Sequence, residues 1–141
     1  MPPAPDDPMT ALNAVLSEVI DTVQEVKQAH RKVSETHTLH AALDQLFDDL
    51  RAWAQLLIEQ DEARGISALA AMPSVAGRTL PNLWPGGATD DEVRSLIDGH
   101  LDRLGQHAAA ALIAQDDEQA RTALSTVEHA VRASREKLSA R

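Results

Sequence analysis

The stretch LNAVLSEVIDTVQEVKQAHRKV, residues 12–33, decides the fold. Its seam residues recur at alternating intervals of four and three, which places them on one face of an α-helix and is typical of a coiled-coil seam. These positions are Leu12, Leu16, Val19, Val23, Val26, His30 and Val33. The sequence therefore predicts one long amphipathic helix here.

A second apolar stripe follows in a shifted register, and its relation to the first helix leaves two alternatives. Its members are Leu39, Leu43, Leu46, Leu50, Trp53 and Leu57. Residues 33–38 between the stripes, VSETHT, are poor helix formers. No glycine or proline lies between Met9 and Arg64, so one helix of more than fifty residues with a local change of register is also compatible. We favour an antiparallel hairpin, because a monomeric domain has to bring the two apolar faces together.

The second half of the chain predicts another pair of helices. Thr89 and Glu92 have the spacing of a capping box, and a second acidic helix start lies at residues 115–118. We predict an all-α four-helix bundle with up-down-up-down packing. The expected helices are 9–34, 38–64, 89–115 and 117–139, which form two hairpins joined by a long connection rich in proline and glycine. Residues 1–8 are expected to form a disordered leader, and residues 9–141 a single domain.

Composition excludes several classes of protein. The 141 residues include 22 acids, 13 bases and no cysteine, for a net charge of −9. A disulfide scaffold, a thiolate metal site and a cysteine nucleophile are therefore excluded. The acidic balance disfavours nucleic acid and anionic membranes as partners. The sequence shows neither a signal peptide nor a long apolar run, and arginine outnumbers lysine ten to three, so we expect a bacterial, cytoplasmic protein.

No motif of a known catalytic site is present. The chain lacks a nucleophile elbow, a P-loop and a dinucleotide-binding glycine motif. The paired acids at 48–49, 90–91 and 116–117 are explained by helix capping and solvated surface. We therefore predict no catalytic residue and no cofactor.

The connection contains the segment RTLPNLWPGG, residues 78–87, which suggests a contact surface. Leu80, Leu83 and Trp84 lie among prolines that restrict the backbone, and tryptophan is a frequent anchor of protein interfaces. These three side chains are predicted either to bind a partner or to cover one end of the bundle. The main functional prediction is a non-catalytic interaction or scaffold protein that forms a homodimer or docks onto another protein.

The histidines support an alternative function from a different class. His30, His37 and His40 lie near the seam of the first half, and Asp44 is one helical turn beyond His40. Histidine and carboxylate on one face are typical metal ligands. The alternative is a metal- or small-ligand-binding bundle, or an enzyme built on one, that uses His30, His37, His40, Asp44, His100 and His107. The two Glu-x-x-His motifs of di-iron four-helix bundles are absent, so the main interpretation assigns no metal site.

Overall fold

The computed structural model describes residues 7–33, 38–63 and 89–139. Helices make up 94% of these residues, and no strand lies among them. They are α1 (Pro8–Lys32), α2 (Thr38–Ala63), α3 (Asp90–Ala114) and α4 (Glu118–Ser139). The predicted four-helix bundle is confirmed, with each helix end within two residues of its expected position.

The start of α1 is determined by Asp7 and Pro8. The Asp7 carboxylate accepts hydrogen bonds from the backbone amides of Met9, at 2.9 Å, and Thr10, at 3.1 Å. Proline suits the first helical position, because the amide that it lacks would have no partner within the helix. Residues 1–6 of the expected leader lie outside the described part of the chain, whereas Pro8 belongs to the helix.

The first two helices form the predicted antiparallel hairpin. The backbone leaves the helical region at Val33, which has an extended conformation. At this end of the hairpin, His30 of α1 lies beside Asp44 of α2. At the other end, the Asn13 side-chain amide donates to both oxygens of the buried Asp61 carboxylate, at 2.6 and 3.1 Å, with the amide oriented so that these hydrogen bonds form. The alternative of a single long helix is thereby excluded.

The third helix runs antiparallel to the first. His107 faces Glu18 and His100 faces Glu25. Residue numbers therefore increase along α1 where they decrease along α3. Because α1 is antiparallel to both α2 and α3, the latter two helices point in the same direction.

The fourth helix is antiparallel to the third. Near the turn between them, Arg121 donates to the Leu112 carbonyl, whereas Arg135 reaches Asp98 near the start of α3. The helix directions are therefore up, down, down and up, and the predicted up-down-up-down packing is wrong. The connection at residues 64–88 has to join opposite ends of the bundle, a distance of about 37 Å for a helix of 25 residues. This distance accounts for its unusual length.

Each helix packs against two neighbours. α1 contacts α2 and α3, and α4 contacts α3 and α2. The stripe predicted on α2 is confirmed throughout, because all six of its side chains are buried. On α1 the buried surface is wider than a seam and includes Val15, Thr22 and Ala29. Val23 and His30 lie at its half-buried edge.

The helices also show where His100 lies and whether any of them is suited to cross a membrane. In the middle of α3 the buried residue is Leu101, and His100, one of the candidate metal ligands, lies half-buried at the boundary with α1. In the described ranges, no helix has the length and apolarity needed to cross a membrane.

Candidate metal centre

Three potential metal ligands meet at the end of the bundle where α1 passes into α2. His30 lies in the last turn of α1, and His40 and Asp44 lie on one face of the first turns of α2, four residues apart. The helix hairpin brings the two segments together, so residues fourteen positions apart in sequence become neighbours. Their potential ligand atoms all lie within 4.8 Å of one another.

The distances within the triad suit a common ligand. His30 Nε2 lies 2.7 Å from Asp44 Oδ1, and His40 Nδ1 lies 3.6 Å from Asp44 Oδ2. Ligands at 2.0–2.2 Å from an octahedral ion stand about 3 Å apart, a value between these two distances. Small side-chain rotations would therefore place all three atoms around one ion.

The hydrogen-bonding state of His30 adds to this geometry. Its Nε2 atom is buried, and although it lies close to Asp44 Oδ1, the pair does not have the angles of a hydrogen bond. The two imidazole rings of His30 and His40 lie 3.8 Å apart, tilted by 38°. A buried polar atom without a hydrogen bond costs free energy, which a bound metal ion would remove.

Solvent access to the triad is uneven. The side chain of His40 is 17% exposed and that of His30 33%, whereas Asp44 is 62% exposed. A concavity of about 220 Å³ opens beside His30 and Asp44. The triad is therefore reachable from solvent, and a bound ion would keep coordination positions that the three side chains do not fill.

His100 and His107 of the predicted metal set do not join this triad. His37 lies outside the described residues. His100 and His107 belong to the boundary between α1 and α3, where they face carboxylates of α1. Within the described ranges, His30, His40 and Asp44 are the group with metal-ligand proximity.

A second polar cluster, which sequence analysis missed, lies between α1 and α3. Glu25 faces His100 at 3.8 Å, and Glu18 faces His107 at 3.7 Å and Arg103 at 3.9 Å. The Glu18 and Glu25 side chains are only 13% and 12% exposed. Their seven-residue spacing was the available signal, since it places both acids on one face of α1.

The protonation of His100 in this cluster is altered by its surroundings. Burial lowers the pKa of His100, and the positive charge of Arg103, whose Nη2 atom lies 2.9 Å from the ring Nδ1, lowers it further. The Glu25 carboxylate at 3.8 Å acts in the opposite direction. The neutral imidazole is thus favoured over the charged form.

Comparison with known proteins identifies the fold. No known family model matches the sequence, and no curated protein matches it. The structure of Dps from Microbacterium arborescens in the high iron form is similar over 93% of this chain and 89% of that one, with a TM-score of 0.82 and 21% identity. Dps92 from Deinococcus radiodurans is similar over 93% and 82%, with a TM-score of 0.77 and 24% identity. The chain has a Dps-like fold.

This similarity corrects the main functional prediction. A non-catalytic interaction or scaffold protein was expected, but the structural neighbours are Dps proteins, and one of them was solved in a high iron form. The finding agrees better with the alternative, a metal-binding bundle. The Dps-like, ferritin-like fold occurs here without the two Glu-x-x-His motifs, so their absence does not argue against this fold.

The predicted contact surface is not tested by the described residues. Leu80, Leu83 and Trp84 all lie outside the described residues, so their role as a partner surface or a cover stays a prediction. The sequence also suggested a homodimer contact along the seam of α1, near Leu16, Val23 and His30, and for Leu16 this is wrong. Leu16 is 1% exposed within its own bundle and has no surface to offer a second copy.

Proposed function

We propose that this protein binds iron at His30, His40 and Asp44. The observation that carries the proposal is the convergence of two imidazoles and one carboxylate across the α1–α2 hairpin, within 4.8 Å of one another. The buried His30 Nε2, close to Asp44 Oδ1 but without a hydrogen bond, supports it. These are three of the six residues of the predicted alternative set, in which His37 lies outside the described residues.

The type of ligand favours iron over other metals. Two histidines and one carboxylate with open positions form the ligand set typical of non-haem Fe²⁺ sites. The Dps from Microbacterium arborescens, which shares the fold, was solved in a high iron form. Iron bound here with open positions would be able to give an electron to dioxygen or hydrogen peroxide, so iron oxidation is the enzymatic activity that we propose for the site.

We also propose that the chain forms a homo-oligomer. Half-buried apolar side chains remain at the edges of the core on α1 and α2, among them Ile20 and Val23 of α1 and Ile58 of α2. Such side chains are the ones that a second copy would cover most favourably. Light scattering of the purified chain tests this, since a mass of 15.2 kDa at every concentration would contradict it.

Metal titration tests the iron proposal directly. Under anaerobic conditions we expect one Fe²⁺ or Co²⁺ per chain, with Co²⁺ binding visible by its absorption. His30→Ala and Asp44→Asn should each weaken binding by roughly tenfold or more, because losing even a residue that supports a ligand typically costs 10–100-fold in metal affinity.

Two matched controls separate the triad from the general negative charge of the surface. Asp48→Asn removes an exposed acid one turn beyond Asp44, and His107→Ala removes a histidine of the α1–α3 boundary. Both should retain wild-type affinity. Equal losses in all four variants, or no metal binding by the wild type, would contradict the proposal.

A further inference from the structure

The concavity beside the triad has a composition that the metal alone does not explain. It is lined by Val26, Lys27, His30, Arg31, Asp44 and Phe47. Two of these residues are metal ligands, two are cations, and two are apolar. The cations are four residues apart on α1, so both side chains extend over the same side of the helix.

We propose that this concavity binds a small oxyanion of the phosphate type next to the bound metal. The proposal rests on the iron site proposed above, and it adds a second ligand and a partner for the two cations. The site thus takes up the metal and the anion together rather than the metal alone.

The charges lining the concavity are not balanced. Lys27 and Arg31 are exposed, and no carboxylate in the described ranges forms an ion pair with either side chain. Asp44 contributes one negative charge, but in the metal-bound state it is a ligand of a divalent ion. With such an ion bound, the lining would carry three net positive charges, which an oxyanion would partly neutralise.

Another cation, Arg51, lies beside one of the lining residues. The Arg51 guanidinium lies 5.8 Å from the centre of the Phe47 ring, a distance at which a cation interacts with an aromatic face. The other face of the concavity is formed by Val26 and Phe47, and an apolar wall weakens screening by water and strengthens the attraction of an anion. Arginine is suited to a planar or tetrahedral oxyanion because its donors form a fork.

The size of the concavity limits the anion. Its volume of about 220 Å³ is below the range of roughly 300–1,000 Å³ that is usual for pockets binding drug-sized ligands. Inorganic phosphate fits this limit, whereas a nucleotide would have most of its surface outside. The concavity borders His30 and Asp44, so an anion bound in it would lie next to an ion held by these residues.

The experiment is a Co²⁺ titration of the full chain, followed by visible absorption, with free Co²⁺ held by a chelator buffer. It is run with millimolar inorganic phosphate, and with chloride at equal ionic strength. We expect phosphate to tighten Co²⁺ binding by roughly fivefold or more, the lower end of typical coupling between two ligands. Phosphate should also change the Co²⁺ spectrum, and the bound Co²⁺ should broaden the phosphorus resonance.

The double variant Lys27→Ala/Arg31→Ala should lose this coupling while still binding Co²⁺ in chloride. Lys32→Ala is the matched control, since it removes an exposed cation from the same last turn of α1 that does not line the concavity. Lys27→Arg/Arg31→Lys should restore much of the coupling, because it keeps both charges.

The outcomes separate this proposal from the metal site. Co²⁺ binding by the wild type that phosphate does not change overturns the anion site and leaves the metal site standing. Loss of the coupling to the same degree in Lys32→Ala also overturns it, because the effect would then be general surface charge. No Co²⁺ binding with or without phosphate contradicts the metal site and overturns the anion site with it.

Discussion

The surroundings of His100 predict how the free energy of unfolding depends on pH. Burial between α1 and α3, together with the charge of Arg103, keeps the pKa of His100 below its ordinary value. The unfolded chain has a histidine pKa near 6.5, so it binds a proton more readily than the folded chain does. The contribution of His100 to the free energy of unfolding is therefore complete above about pH 6.5, and is lost as the pH falls through that value towards the folded pKa.

We predict that His100→Gln makes the melting temperature less dependent on pH between pH 7.5 and 5.5. His129→Gln is the control, because His129 is exposed on α4 and its ring donates or accepts only within its own helix. If the melting temperatures of the wild type and of His100→Gln changed by the same amount over this pH range, burial of His100 would have no effect on its titration.

At the residue scale, the sequence identified ligand types but not their grouping. The pair His40 and Asp44 was predictable, since a spacing of four residues on one helix places two side chains together. The addition of His30, and the exclusion of His100, depend on which helices are neighbours and how far along them each residue lies. The choice of neighbouring helices and their alignment along the bundle arise from tertiary packing. The spacing of residues within one helix does not contain this information.

The pairing of α3 with α4 depends in part on a single arginine. Arg135 donates to Asp98 through Nε, at 2.8 Å, and Nη2, at 3.1 Å, and to Asp102 through Nη1, at 3.0 Å. These bonds raise the pKa of Arg135, chiefly through Asp98. The side chains are 39–45% exposed, so water and salt reduce what the three bonds contribute.

We predict that Arg135→Gln lowers the free energy of unfolding by about 1 kcal/mol at low salt, below the value for a buried charged network. The loss should shrink at 1 M NaCl, where charges a few ångströms apart are screened. Arg132→Gln is the matched control, since Arg132 pairs only within its own helix, with Glu128 at 3.3 Å. Urea denaturation at both salt concentrations measures the difference, and equal losses in the two variants would contradict the role of Arg135 between helices.

The close approach of the same two helices is visible at Gly105. A Cβ atom added there would lie 3.4 Å from Val131 Cγ1, which is at the limit of ordinary contact. Alanine therefore fits with little displacement and removes the entropy cost of glycine in a helix, so Gly105→Ala should raise the free energy of unfolding by about 0.5 kcal/mol. Gly105→Leu should lower it by about 1–3 kcal/mol, because the larger side chain overfills the interface. Thermal melts of both variants test this, and a destabilising Gly105→Ala would show that the contact has no room.

At the scale of elements, the sequence predicted all four helices. The apolar periodicity located them, and capping residues located their starts; Thr89 and Glu92 form the expected reciprocal cap, at 3.2 Å in each direction. The core residues of α2 were fully predictable because that helix has one apolar stripe. Those of α1 were less so, since α1 borders two helices and its buried surface is wider than a seam.

At the scale of the whole molecule, helix direction was the property that sequence patterns did not determine. Either order of directions buries the same stripes, so the apolar periodicity is equally compatible with both. The length of the connection was the available signal, because neighbouring antiparallel helices need only a short loop, whereas a return to the opposite end needs many residues. The same holds for the candidate metal ligands, which the sequence indicated but which were set aside because of the absence of a motif that this fold does not require.

The length of the connection gives the last prediction. An extended chain covers about 3.3–3.6 Å per residue, so at least about 11 residues are needed to span the roughly 37 Å between the end of α2 and the start of α3. Replacing residues 64–88 by a flexible linker of about 16 residues should preserve the fold, whereas a linker of about four residues should prevent the monomer from closing and cause unfolding or exchange of helices between copies. Both variants lack Leu80, Leu83 and Trp84, so comparing them with each other isolates linker length from any covering role of those side chains. Circular dichroism melts and gel filtration distinguish the outcomes, and a four-residue variant that melts as a compact monomer like the longer one would show that α2 and α3 are antiparallel after all.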